Sequence, residues 1–187
     1  HGTSLGKSVP EEVRAFIEIV PTDTVKYEVD KESGYLSLDR PQKFSNIVPS
    51  LYGFLPRTYC GPKMAELTNK ALVRTDIEGD GDPLDILVIC SDPTFPGCIV
   101  PARVLGYLDM EDAGKLDYKL ISVVDCDPRY DEVTELEHLS PFVLKEIENF
   151  FSNYKVLQGI TVKVGSYHGK EEAVEIIAQC REAYKNK

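Results

Sequence analysis

The sequence predicts an α+β fold: a β-barrel core with two helices packed outside it. Three observations point there. Short apolar strands fill the chain before residue 130, two helical stripes follow residue 140, and no apolar run nears the ~20 residues of a membrane span. The 187 residues suit one domain, 1–187, and a hydrophobic share of 42% supplies its core.

Each element has its own signal. "VRAFIEIV" (13–20) reads as a strand. "TVKYEV" alternates, with Val25, Tyr27 and Val29 on one face and Lys26 and Glu28 on the other. "KESG" is a turn and "YLSLDR" a returning strand, so a tight hairpin is expected. "RPQKFSNIVPSLYGFLPRTYCGP" is rich in Pro, Gly and Ser and reads as an irregular connection. "LDILVIC" is a short buried strand, and "CIVPARVLGYLDM" and "KLDYKLISVVD" are two more, joined by a turn around "EDAGK". Ser140 followed by Pro141 marks a helix start. Val143, Leu144, Ile147, Phe150, Phe151 and Tyr154 then recur at helical spacing. "ITVKVGSY" is a last strand, and Lys170 to Tyr184 a second helix with Ala173, Val174, Ile177, Cys180 and Tyr184 on its apolar stripe.

The net charge is −10, which argues against nucleic acid held by a basic surface. A phosphate compound could bind only through something positive. The five cysteines show no CxxC, and no secretory pattern stands at the start of the sequence. They read as thiols of a reducing compartment, and a cytoplasmic location is expected. No membrane association is expected.

The stretch "DIEGDGDPLDIL" (76–87) gathers Asp76, Glu78, Asp80, Asp82 and Asp85 without a basic residue. Two carboxylates ~4 Å apart repel by about 4 kcal/mol at an effective dielectric near 20. They can splay into water, share protons or bind cations. Splaying is the ordinary fate of an acidic run. Two details favour cations. In an extended segment Asp80 and Asp82 start on one side, and the bend at Pro83 brings Asp85 back towards them. Asp85 also lies within an apolar strand, where bare charge is costly. All-oxygen sites suit hard ions such as Mg²⁺, Mn²⁺ or Ca²⁺. An EF-hand is the nearest rival, but its twelfth position holds Leu87 and its flanks read as strand.

Other residues have ordinary readings when taken singly. Asp112 falls in a turn, and Asp117 shares a strand face with Lys119. Lys26, Glu28 and Arg40 suit a solvated hairpin, Glu18 an exposed strand face, and Tyr154 and Lys155 the end of a helix. Together they form an inventory for metal-assisted phosphoryl hydrolysis: carboxylates for divalent ions beside Lys, Arg and Tyr for phosphate oxygens. GxxxxGK[ST], HExxH and GxSxG are absent, and His1, His138 and His168 are scattered. Two rival classes remain. A barrel-type binding module predicts basic and aromatic groove residues, which the charge and the absence of Trp oppose. A calcium-stabilised structural domain predicts metal-dependent folding without turnover.

"DGDPLDI" (80–86) fits the motif of the family I soluble inorganic pyrophosphatases, and the sequence resembles that family along roughly residues 13 to 185. "IEIVPTDTVKYEVDKESG", "LDR", "LYGFLP", "EDAGKLDYK" and "NFFSNYK" resemble family blocks in the family's order. The resemblance implies a closed five-stranded barrel like an OB-fold, and hydrolysis of diphosphate to two phosphates with several Mg²⁺ ions per site, Mn²⁺ being a possible substitute. It implies that Asp80, Asp85, Asp112 and Asp117 are metal ligands and that Asp82 takes a proton from the attacking water. It implies that Lys26, Arg40, Tyr52, Lys119, Tyr154 and Lys155 bind phosphate groups, with Glu18 and Glu28 as supports at the rim. A homo-oligomer is expected, a hexamer on the compact length, a dimer otherwise. Val48 stands where many members carry Tyr, and the stretch from Thr58 to Gly79 is longer than in the shortest members. That stretch would cover the site mouth or a subunit contact.

Overall fold

The structure, a computed structural model, describes residues 11–42, 46–62, 64–66, 68 and 75–187. Residues 69–74 of the longer stretch, and 43–45 of the expected irregular connection, lie outside these.

The strands are β1 (Glu12–Ile19), β2 (Val25–Val29), β3 (Leu36–Pro41), β4 (Leu51–Phe54), β5 (Glu78–Gly79), β6 (Asp85–Ile89), β7 (Ile99–Asp112), β8 (Lys115–Leu116), β9 (Lys119–Val124) and β10 (Val162–His168). Helix α1 (Pro141–Asn153) precedes β10, and α2 (Lys170–Lys185) follows it. Strands β2 and β3 form their own two-stranded hairpin, as expected, and the other eight share one sheet. Within that sheet the pairing runs β1–β4–β6–β9–β7, and β7 pairs again with β1. The sheet is larger than the five strands expected, because β5, β8 and β10 attach outside this circuit.

Burial explains the placement of the strands. All six residues of β9 are buried, because β9 is central in the sheet, between β6 and β7, and a core cluster covers each of its faces. Alternation divides the side chains of β6 and β9 between two clusters. Ile86, Val88 and Leu120 join Ala15, Ile17 and Val104, and α2 adds Ala173, Ile176, Ile177 and Cys180. Leu87, Ile121 and Val123 pack instead with Ile147 and Phe151 of α1. Ser140 caps α1 by accepting the Phe142 N–H, with Pro141 in the first turn. Tyr184, expected on the apolar stripe of α2, is exposed and turns towards the cleft described below. Among the described residues no helix is long and apolar enough to cross a membrane.

Two irregularities aim side chains. The β1–β4 register shifts between Ile17 and Ile19, leaving Glu18 as the extra residue. The β2–β3 register shifts so that Lys26 opposes Arg40 and Tyr27 opposes Leu38, which leaves Asp39 over. Strand β4 lay hidden in the expected irregular connection. At Gly53 it passes so close to β1 that an added Cβ would lie 1.8 Å from the Phe16 carbonyl oxygen. Gly53→Ala should therefore destabilise the protein by about 1–3 kcal/mol. A lowered urea midpoint with unchanged slope would show it, and an unmoved midpoint would refute the close approach.

Candidate active site

All thirteen residues to which the resemblance gives a role line one cleft of about 700 Å³, whereas Asp76 and Glu78 of the acidic stretch do not line it. At its floor stands Lys119. It opens β9 beside Asp85, its register partner at the start of β6. The Lys119 ammonium lies 2.5 Å from Asp85 Oδ2 and 2.5 Å from Asp117 Oδ1, and the side chain is only 2% exposed. The Tyr52 hydroxyl donates to the same Asp85 oxygen at 2.5 Å and accepts from Lys119 at 3.2 Å. The rings of Tyr52 and Phe151 each lie 5.6 Å from the ammonium. Asp117 sits in the break between β8 and β9 rather than within one long strand.

Asp112 ends β7 instead of standing in the turn. Its Oδ2 ion-pairs with Lys155 and accepts from the Tyr154 hydroxyl at 3.2 Å. Among the described residues its buried Oδ1 has no hydrogen-bond partner. Tyr154 closes α1 and Lys155 follows it, so this helix end fixes both groups.

The acidic loop is held from two sides. Asp80 Oδ1 accepts the Asp82 N–H at 2.9 Å, a local turn that Gly81 permits with φ +79°. The Gly81 N–H donates to the Cys60 carbonyl at 2.9 Å, and the Cys60 N–H to the Asp82 carbonyl at 2.8 Å. Next along, the Tyr59 N–H donates to the Cys180 carbonyl of α2 at 3.0 Å. Asp82 turns its Oδ1 to Lys31, 2.6 Å away on the tip of the β2–β3 hairpin.

On that hairpin Lys26 meets Glu28 at 3.3 Å and Asp39 at 3.2 Å, and Arg40 lies 3.9 Å from Asp39. Glu18 is buried and accepts the Val29 N–H at 2.9 Å.

Burial sets the protonation behaviour. It raises Glu18 to about 7, against a hydrogen bond from Val29 and with repulsion from Asp85. It raises Asp80 to about 7, with Asp85 and Asp117 adding to the effect. It also raises Asp117, which Lys119 partly offsets. Burial pulls Lys119 down, but Asp117 and Asp85 outweigh it, and the ammonium ends well above its usual range. Tyr52, pushed up by burial and by Asp85, stays a protonated donor.

Among the described residues no three carboxylate, imidazole or thiol groups converge closely enough to cage an ion as they stand. Ammonium groups lie against Asp82, Asp85, Asp112 and Asp117 instead. The donor set still suits a hard divalent cation. It is all oxygen, Asp112 offers an unused buried lone pair, and Asp80 and Asp117 hold protons more tightly than isolated carboxylates.

Sequence reasoning missed Lys31, Asp39, Lys115, Tyr59, Tyr184 and Lys187. All but Asp39 line the cleft. Lys31 had a readable signal, because it begins the hairpin turn whose strands carry Lys26 and Arg40. Val48 is buried and lies outside the cleft lining. Of the longer stretch, Thr58 and Tyr59 line the cleft, and Met64, Ala65 and Thr68 are buried.

The family profile described as inorganic pyrophosphatase matches residues 15–185. An inorganic pyrophosphatase of Geobacillus stearothermophilus is 44% identical over 172 residues, covering 92% of this chain and 93% of that protein. One from Chlamydia muridarum is 39% identical, covering 100% of this chain and 93% of that protein. The crystal structure of inorganic pyrophosphatase from Thermus thermophilus superposes with a TM-score of 0.84 at 34% identity, over 98% of this chain and 97% of that one.

The raised Glu18 gives a pH dependence of known sign. Between its ordinary value of 4.5 and about 7, the folded protein binds more protons at Glu18 than the unfolded chain does. Stability in a chelating buffer should therefore fall as pH rises through that window, by roughly 1–3 kcal/mol from this group. Urea unfolding at pH 5 and pH 7 measures the fall, and Glu18→Gln should reduce it. The same slope in the variant would place the proton elsewhere.

Proposed function

Because the chain belongs to the inorganic pyrophosphatase family and hydrolyses inorganic pyrophosphate to two orthophosphates, we propose that the thirteen cleft residues divide the work of that reaction. The observation that carries this reading is their gathering into one cleft, acids and phosphate-binding groups together.

The family's reaction is metal-dependent. Asp80, Asp85, Asp112 and Asp117 would hold the ions, several per site, with Mg²⁺ as the resident metal and Mn²⁺ a workable substitute. When bound, such ions reverse the negative field of the cleft and make water more acidic. Asp82 accepts the proton of the attacking water. Its place in the loop supports this role, since the backbone of Cys60 fixes it while its carboxylate faces the cleft. Lys26, Arg40, Tyr52, Lys119, Tyr154 and Lys155 bind phosphate oxygens, each charged hydrogen bond contributing ~1.5–3 kcal/mol. Glu18 and Glu28 support the site, Glu18 by tying β1 to β2 through Val29. In this arrangement Lys119 and Lys155 first hold the aspartates in position and then face the substrate.

The circuit β1–β4–β6–β9–β7 supports reading the core as a closed five-stranded OB-like barrel within one domain spanning 1–187. A cytoplasmic homo-oligomer, hexameric in preference to dimeric, completes the reading.

Asp82→Asn should keep metal binding and slow turnover by ~10²-fold or more, measured as phosphate release from pyrophosphate with Mg²⁺. Turnover at the parent rate would remove Asp82 as the base. Asp117→Ala should weaken Mn²⁺ binding in an equilibrium titration, and an unchanged isotherm would take Asp117 out of the ligand set.

A further inference from the structure

The tip of the β2–β3 hairpin overhangs the cleft, and Lys31, Ser33 and Gly34 line it. The backbone of this tip is pinned. Asp30 Oδ2 accepts the Ser33 N–H at 2.8 Å and the Ser33 hydroxyl at 2.5 Å. The Gly34 N–H donates to the Asp30 carbonyl at 2.8 Å, with Gly34 at φ +75°. The Lys31 side chain is not pinned. It is 73% exposed, and its ammonium lies 2.6 Å from Asp82 Oδ1, on a segment 51 residues away in sequence.

We propose that Lys31 is a further substrate-binding residue: it shields Asp82 in the free protein, then moves to a phosphate oxygen of the arriving diphosphate and releases the Asp82 carboxylate. This rests on the reading of Asp82 as the base. The exchange is favourable for three reasons. Exposed lysine–carboxylate pairs are weak, because water screens them and two side chains must be held still. A phosphate group carries more charge and more acceptors than one carboxylate, so its hydrogen bonds to an ammonium are stronger. A lysine also has a flexible stem and three rotatable donors, so it can change partner while its Cα stays fixed. The consequence is an ordered site: the base is freed when a polyanion is present to attract its cover.

The test uses methylenediphosphonate with Mg²⁺, a diphosphate analogue that is not hydrolysed, titrated calorimetrically into the full chain. Lys31→Ala should weaken binding by about tenfold, and Lys31→Arg should stay within about threefold of the parent, as loss or retention of one charged hydrogen bond implies. With pyrophosphate, kcat/KM of Lys31→Ala should fall mainly through KM. The loss should be larger in an Asp82→Asn background, where no carboxylate competes for the ammonium. Parent affinity in Lys31→Ala, or failure of Lys31→Arg to restore it, overturns the binding role. An equal loss in both backgrounds overturns the shielding. Because the analogue reports binding without turnover, a failure of Asp82 as base would appear only in the kinetics of Asp82→Asn.

Discussion

Lys119 is the group on which the cleft depends. Two aspartates at the starts of central strands flank a single buried ammonium, which lies 2.5 Å from both. Coulomb repulsion of this kind amounts to about 4 kcal/mol per close pair at moderate dielectric. Charges taken out of water also lose hydration, which the mutual attraction has to offset. The pair therefore adds little to stability when whole, and removing one member is expensive. What it secures is geometry. Because Asp85 and Lys119 are register partners in parallel β6 and β9, the electrostatic centre is fixed by backbone hydrogen bonds, not by flexible surface side chains.

Around this centre the labour is split by architecture. The acids stand on or beside the large sheet: Asp85 on β6, Asp112 on β7, and Asp117 where β9 is about to begin. Three of the cations, Lys26, Lys31 and Arg40, come from the separate hairpin. Tyr154 and Lys155 come from the end of α1, whose Phe151 also forms part of the apolar wall around Lys119. A rigid sheet suits the metal-holding role proposed for these acids. A two-stranded ribbon suits groups that meet a substrate arriving from water.

Much of this was legible in the sequence. The apolar runs gave most strands, and Ser140–Pro141 gave the start of α1. The motif "DGDPLDI" named three of the acids, and the ordered blocks named the rest. Strand β4 escaped because it is four residues long, and three of them are buried, so it carries no alternation. Asp112 and Asp117 were misplaced by a residue or two because β7 runs on to Asp112 and the following strand breaks at Asp117. Neither break is written in polarity alone. Glu18 looked like an exposed strand residue, and a bulge in the β1–β4 register turns it inward. Lys31 was missed because the contact that singles it out, with Asp82, lies 51 residues along the chain; its place in the hairpin between Lys26 and Arg40 was the local signal that could have found it.

The backbone bonds of Tyr59 and Cys60 have an effect at a distance. One reaches the carbonyl of Cys180 on α2, and two more clasp the loop that bears Asp80 and Asp82. Lys187, just past α2, also sits 3.9 Å over the Tyr59 ring. The far end of α2 is thus a mooring for the acidic loop. Fraying of those final turns, by heat or by trimming, would slacken a segment about a hundred positions earlier in the polypeptide and blunt its chemistry before the sheet itself had begun to open.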